Sequence, residues 1–135
     1  MAKNYFFENI KSFSFDKKIF DKINRMIFEE KKEEGELSFV FCSDDYLLKM
    51  NKDYLQHDYF TDVITFDYTE NNIISGDIFI SIDRIKENAK SFNVTFEEEL
   101  QRVMIHGILH LIGYNDKTEE EQSEMTEKEN KYLNP

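Results

Sequence analysis

Apolar positions along this chain follow two periods, and the alternation between them predicts its elements. Ile19, Phe20, Ile23, Met26 and Ile27 recur at three- and four-residue steps, the spacing of one helix face, and Asp16 stands where it can cap that helix. Gly35 is expected to break the chain. Leu37 to Cys42 is a short apolar run, read as a buried strand. Ser43 or Asp44 caps a helix through roughly Tyr54. Residues 62–68 and 73–81 are rich in β-forming side chains and are joined by a short polar turn, which predicts a hairpin. Ser81 then opens a short amphipathic helix carrying Ile82, Ile85 and Ala89. Near the N-terminus, the aromatic stretch from Tyr5 to Phe15 is expected to form an edge strand.

The C-terminal third is helical by pattern. Thr95 and Glu98 form a capping-box pair, and the stripe that follows is Leu100, Val103, Met104, Gly107, Ile108 and Leu111. Ile105, Leu109 and Ile112 widen the apolar surface around the other side, so this helix is expected to be central. Thr118 and Glu121 repeat the capping pattern ahead of an acidic last helix. Strand and helix, paired strands, then helices in series describe an α+β fold rather than a regular βαβ repeat.

Length and composition narrow the picture. A chain of 135 residues is expected to form one domain over 1–135, with a core built largely from its 13 Phe and 7 Tyr. The single cysteine, Cys42, lies in an apolar run and reads as a small buried hydrophobe. No disulfide, no signal peptide and no long apolar span point to a cytoplasmic protein without a membrane partner. The net charge of −11 taken alone argues against nucleic-acid binding. The excess is uneven: glutamates crowd positions 97–99 and 119–129, while Lys11, Lys17, Lys18, Lys22 and Arg25 lie toward the other end. Each such cluster is expected to be a solvated helix surface.

The chemistry concentrates in the run from His106 to Asp116. His106 and His110 are one helical turn apart and share a face. Gly113 can end the helix, and a turn there can bring Asp116 back as a third ligand. Two neutral imidazoles and a carboxylate suit one zinc ion, or another first-row divalent metal, with water as the remaining ligand. That metal-bound water is the expected nucleophile, and no residue offers itself as the general base. The spacing is that of the H-E-x-x-H metalloproteases, but Gly107 occupies the position of their catalytic glutamate, which counts against peptide hydrolysis. Gly107 also permits another chain or a substrate to approach the helix closely. His57 reads as a surface or loop residue.

The run H-G-I-L-H-L-I-G-Y-N-D resembles the H-G-x-L-H-L-x-G-Y-D-H hallmark of the YbeY family of bacterial endoribonucleases. Thr61-Asp62-Val63-Ile64-Thr65-Phe66 and Gly76-Asp77-Ile78-Phe79-Ile80-Ser81 are similar to two further family blocks, in the same order. The resemblance covers about residues 37–135. It implies a small α+β domain, with a mixed, roughly four-stranded sheet packed by helices and a zinc-hydrolase-like metal cleft. It implies His106 and His110 as metal ligands, with Asp116 where most of the family has a third histidine. Leu55 stands where the family usually carries an arginine that engages RNA. Either Lys52, Lys49 or another cation takes over that role, or catalysis proceeds differently here.

Thr61, Asp62, Lys52 and Gly107 are candidates to line a substrate cleft. Asp62 and Asp77 have the competing reading of fixing turns at strand ends. The implied activity is that of a metal-dependent single-strand endoribonuclease in ribosomal RNA processing, at the small-subunit rRNA 3′ end, and in ribosome quality control. Ribosomal RNA and the small ribosomal subunit are the implied partners, with a ribosomal protein or an Era-type GTPase as a further one. Two other readings stand beside it: a ribosome-assembly or RNA-binding factor with a structural metal, and a metallohydrolase of another substrate.

Overall fold

The computed structural model describes residues 3–55, apart from the Leu55 side chain, and 61–134. His57 lies outside the described residues. Four strands form one mixed sheet in the spatial order Lys3–Glu8 (β1), Glu33–Cys42 (β2), Ile73–Ser81 (β4) and Val63–Asp67 (β3). Strand β1 (Lys3–Glu8) runs parallel to β2 (Glu33–Cys42), which runs parallel to β4 (Ile73–Ser81). Strand β3 (Val63–Asp67) pairs antiparallel with β4, as the hairpin pattern predicts. Five helices complete the α+β fold: α1 (Ile19–Glu29), α2 (Asp44–Leu55), α3 (Ile82–Phe92), α4 (Phe96–Ile112) and α5 (Glu119–Leu133).

The sheet separates two apolar clusters. One face carries the main core, where Phe39 and Phe41 of β2 and Ile74, Ile78 and Ile80 of β4 meet α1, α3, α4 and α5. The opposite face holds Cys42, Leu47 and Ile64 beneath α2. Central β2 is therefore apolar on both sides from Val40 to Cys42, the mark of a strand covered twice. Cys42 is buried, as its apolar neighbours imply, and burial pushes its thiol up to about 12. Among the described residues no helix is long and apolar enough to cross a membrane.

The capping patterns hold. Ser81 Oγ accepts the Arg84 amide at the start of α3, and both the Thr95–Glu98 and Thr118–Glu121 pairs form complete capping boxes. Ser43, rather than Asp44, caps α2 by accepting the Tyr46 amide at 3.1 Å. At α1 the expectation needs adjustment. Asp16 Oδ1 accepts the Lys18 amide at 3.0 Å and shapes the preceding turn, and the helix begins at Ile19.

Two other boundaries differ from the pattern. The strand expected over Tyr5 to Phe15 ends at Glu8, and Asn9 turns the chain with φ 61°. Phe13 and Phe15 then fold back against Phe41, at ring-centroid distances of 5.4 and 5.3 Å. Those aromatics fill the core end; they do not extend the ladder. Gly35 does not break the chain. β2 runs through it with a register shift between Glu34 and Leu37, a local irregularity that leaves the strand intact.

Helix α4 is the central helix, as its breadth of apolar positions implies, and packs on β4 and β3. Gly107 is buried there, and a Cβ on it would lie 2.8 Å from Ile78 Cγ2. The group that approaches Gly107 is thus the sheet. Gly107→Ala is expected to destabilise the fold by about 1–3 kcal/mol through overpacking. In urea unfolding, a Gly107→Ala/Ile78→Ala double variant should lose less than the two single losses combined. Simple additivity would contradict this packing role.

Candidate metal centre

The C-terminal half of α4 carries His106 and His110 on the flank of its apolar stripe, both half-buried. The helix ends in a Schellman arrangement: the Gly113 amide donates to His110 O and the Tyr114 amide to Leu109 O. Gly113, at φ 125°, reverses the chain, and Asp116 comes back over the histidines. His106 Nε2 and His110 Nε2 lie 3.0 Å apart. Asp116 Oδ2 is 3.3 Å from the first and 3.4 Å from the second. A tetrahedral zinc with bonds of about 2.0–2.1 Å would set its ligand atoms about 3.3–3.4 Å apart.

The other nitrogen of each ring is already engaged. His110 Nδ1 lies 3.0 Å from the Tyr114 carbonyl, which only accepts, so this nitrogen carries the hydrogen and Nε2 keeps its lone pair. His106 Nδ1 lies 2.7 Å from Glu129 Oε2, and donating to that carboxylate leaves its Nε2 as a lone pair too. Two imidazole lone pairs and a carboxylate oxygen therefore converge on one point. A proton on His106 Nε2 can bridge one of these contacts, whereas a metal cation meets all three. The donor set fits a divalent ion by this test, and among the described residues it is the one group of three or more His, Cys, Asp or Glu so arranged.

The surroundings favour positive charge. Burial opposes protonation of His106, but its bond to Glu129 and the charges of Glu129, Asp116 and Asp62 prevail, and its pKa is raised. For His110, burial and the charge of His106 prevail, and its pKa is lowered. Burial raises the Asp62 carboxyl, opposed by His106, with Asp116 adding to the rise. Asp62 thus belongs to the field of the site as well as standing at the start of β3, where its carbonyl accepts the Ser81 amide. Thr61 is half-buried beside it, while Lys52 is exposed in the last turn of α2. Asp77 is not at a strand end as expected: it lies within β4, opposite Phe66 of β3, and its Oδ2 accepts a hydrogen bond from Tyr68 Oη at 3.3 Å.

The acidic clusters are not all solvated surface. Glu129 is buried and joins His106 to Arg102, whose Nη1 donates to Glu129 Oε1 at 2.8 Å. Met125, Glu129 and Tyr132 form the buried stripe of α5, so helical spacing was the signal for Glu129. Glu99 is also buried, on the same helix as Arg102 and His106. In the N-terminal basic group, Lys17 sits over the Phe15 ring, Lys22 bonds Gln101 and Arg25 pairs with Glu29.

The family model described as Endoribonuclease YbeY matches residues 4–135. A protein named Endoribonuclease YbeY from Flavobacterium johnsoniae is 48% identical over 130 residues, 96% of this chain and 94% of that one. Its namesake from Bacteroides fragilis is 56% identical over 99 residues, 73% of this chain and 71% of that one. The solution structure of TM1509 from Thermotoga maritima superposes with a TM-score of 0.70 at 31% identity, covering 96% of this chain and 86% of that one.

Glu99 gives the site a pH signature. Burial and the charge of Asp62 push its carboxyl from 4.5 up to about 7, against the pull of Arg102. The unfolded chain releases this proton first and so binds fewer protons across that interval. The stability Glu99 contributes is complete below pH 4.5 and is lost as pH rises through about 7. Glu99→Gln should therefore exceed wild type in stability by about 2 kcal/mol at pH 8 and by much less at pH 5. Urea unfolding with chelator present measures the gap, and a gap independent of pH would contradict this assignment.

Proposed function

The chain belongs to the Endoribonuclease YbeY family, and on that footing we propose that it is a metal-dependent single-strand endoribonuclease acting in ribosomal RNA processing. His106, His110 and Asp116 are its metal ligands in this reading, and zinc is the ion that suits them best. The observation that carries the proposal is the pair of Nε2 atoms 3.0 Å apart, each with its Nδ1 partner already in place. When bound, a divalent cation supplies Lewis acidity toward a phosphodiester and lowers the pKa of water.

The protein's own groups do the rest. His106 and His110 offer neutral nitrogens, and Asp116 adds one negative charge. The ion and its ligands together keep a net positive charge, which attracts an anionic phosphodiester despite the −11 of the whole chain. Glu129 holds His106 Nδ1, and the Tyr114 carbonyl holds His110 Nδ1, so neither ring needs to reorient as the substrate arrives. Asp116 is 39% exposed and the imidazoles 21% and 24%, so RNA can reach the site. This accessibility favours a catalytic centre over a closed structural one. Gly107, set against Ile78, offers no base for peptide hydrolysis.

We assign the small ribosomal subunit and its RNA, in the cytoplasm, as the setting of this activity, with one domain spanning 1–135. A ribosomal protein or an Era-type GTPase is the further partner, and Thr61, Asp62 and Lys52 are assigned to the substrate side of the cleft. Cleavage of single-stranded RNA and ribosomal RNA should fall about 100- to 1,000-fold in His110→Ala and Asp116→Ala, the scale of several kcal/mol of lost charge stabilisation. Metal content measured in parallel should fall with it. Equal cleavage by all three proteins, or a folded wild type that takes up no metal, would overturn the proposal.

A further inference from the structure

Glu30 lies far from the histidines in sequence, at the C-terminal cap of α1. Its side chain is 12% exposed and collects three donors. Tyr114 Oη donates to Oε1 at 2.6 Å, Lys128 Nζ to Oε2 at 3.1 Å, and the buried Tyr132 hydroxyl also donates to Oε2. Burial alone would raise the Glu30 carboxyl, but the bonds from Tyr114, Tyr132 and Lys128 prevail and lower it. The Lys128 ammonium also lies over the Tyr114 ring, 5.4 Å from its centroid. Tyr114 is therefore held at its far end by a charged, half-buried anchor.

The near end of the same residue touches the metal centre. Tyr114 closes the Schellman turn of α4 through its amide, and its carbonyl receives His110 Nδ1–H at 3.0 Å. That bond selects the tautomer whose Nε2 is a lone pair, and it fixes the plane of the ring. A Tyr114 backbone free to shift would leave His110 free to rotate, or to carry its hydrogen on Nε2, where it cannot ligate. His106 has its own support in Glu129. His110 depends on the carbonyl, and the carbonyl on the anchored ring.

We propose that Glu30 is a positioning residue of the metal centre, acting on His110 through the Tyr114 ring and carbonyl. The inference rests on the metal reading above. It adds that α1, which supplies no ligand, sets how tightly the ion is held. Helix α5 has a double part, with Glu129 behind one histidine and Lys128 and Tyr132 behind the anchor of the other.

The test is zinc affinity by calorimetry, with the visible spectrum of the cobalt-substituted protein as a second readout, on the full chain. Tyr114→Phe keeps the ring and the carbonyl and removes the hydroxyl's bond to Glu30 together with its interaction with Lys128. It should weaken zinc binding by about 10-fold or more and alter the cobalt spectrum, on the scale of losses seen when a group supporting a ligand is removed. Glu30→Gln should do the same, and the double variant should be no weaker than the poorer single one, because both act through one path. Tyr132→Phe removes a different donor from the same carboxylate. It should lower thermal stability while changing zinc affinity by less than Tyr114→Phe does.

Zinc affinity and cobalt spectrum unchanged in Tyr114→Phe, beside a wild type that binds zinc, would overturn the positioning role and leave the metal reading standing. Fully additive losses in the double variant would also overturn it. A wild type that binds no zinc would remove the metal reading and this proposal together. Should Glu30→Gln fail to fold, Tyr114→Phe against Tyr132→Phe decides the question.

Discussion

Helix α4 lies on the sheet at a depth set by one missing side chain. At Gly107 the helix backbone comes so near Ile78 that a Cβ would sit 2.8 Å from Ile78 Cγ2. Bulk at that position would lift the helix or force Ile78 aside. With α4 seated, Leu100, Met104, Ile108 and Leu111 enter the core, and the flank of the helix carries His106 and His110 to the margin of the apolar region. The histidines are thus placed by the packing that makes the fold, on a rigid helix rather than on a loop. Only Asp116 comes from a turn, and the Schellman closure at Gly113 and Tyr114 fixes where that turn begins.

The polar groups around the centre form a system with little slack. Glu129, Arg102 and His106 are bonded in series across α4 and α5, and the carboxyls of Glu99 and Asp62, both raised by burial, share the same field. Burying ionised groups is costly unless each has partners, and Glu129 has two, Arg102 and His106. The converging lone pairs of the imidazoles and the Asp116 carboxylate lie beside this system. Asp116 moves the balance further toward a cation, because a carboxylate contributes a full charge where an imidazole contributes none.

Local chemistry made much of this legible in the sequence. Capping boxes, the 3.6-residue stripes and the one-turn spacing of His106 and His110 are short-range signals, and the structure follows them closely. Features that depend on distant partners were not legible. Phe13 and Phe15 read as strand, yet their place is against Phe41, which no local pattern encodes. Gly35 read as a break, but its neighbours are on β4, across the sheet. Glu129 lay in a run of glutamates that looks solvated, and only its register with Met125 and Tyr132 marks it as inward-facing. Glu30 carried no local signal, since Tyr114, Lys128 and Tyr132 meet it from 84, 98 and 102 residues away. Side chains that touch an ion are named by their spacing along one helix, whereas side chains that hold those ligands in place are named only by the tertiary fold.

The central claim is that His106 Nε2, His110 Nε2 and an Asp116 oxygen converge on a single cation. X-ray absorption spectroscopy of the zinc-loaded protein, with the metal-to-protein ratio determined on the same sample, measures that ligand set directly. One zinc per chain, with two imidazole nitrogens and the remaining donors oxygen, is the predicted result. A coordination sphere with sulfur from Cys42, with no imidazole, or with three imidazoles would contradict it.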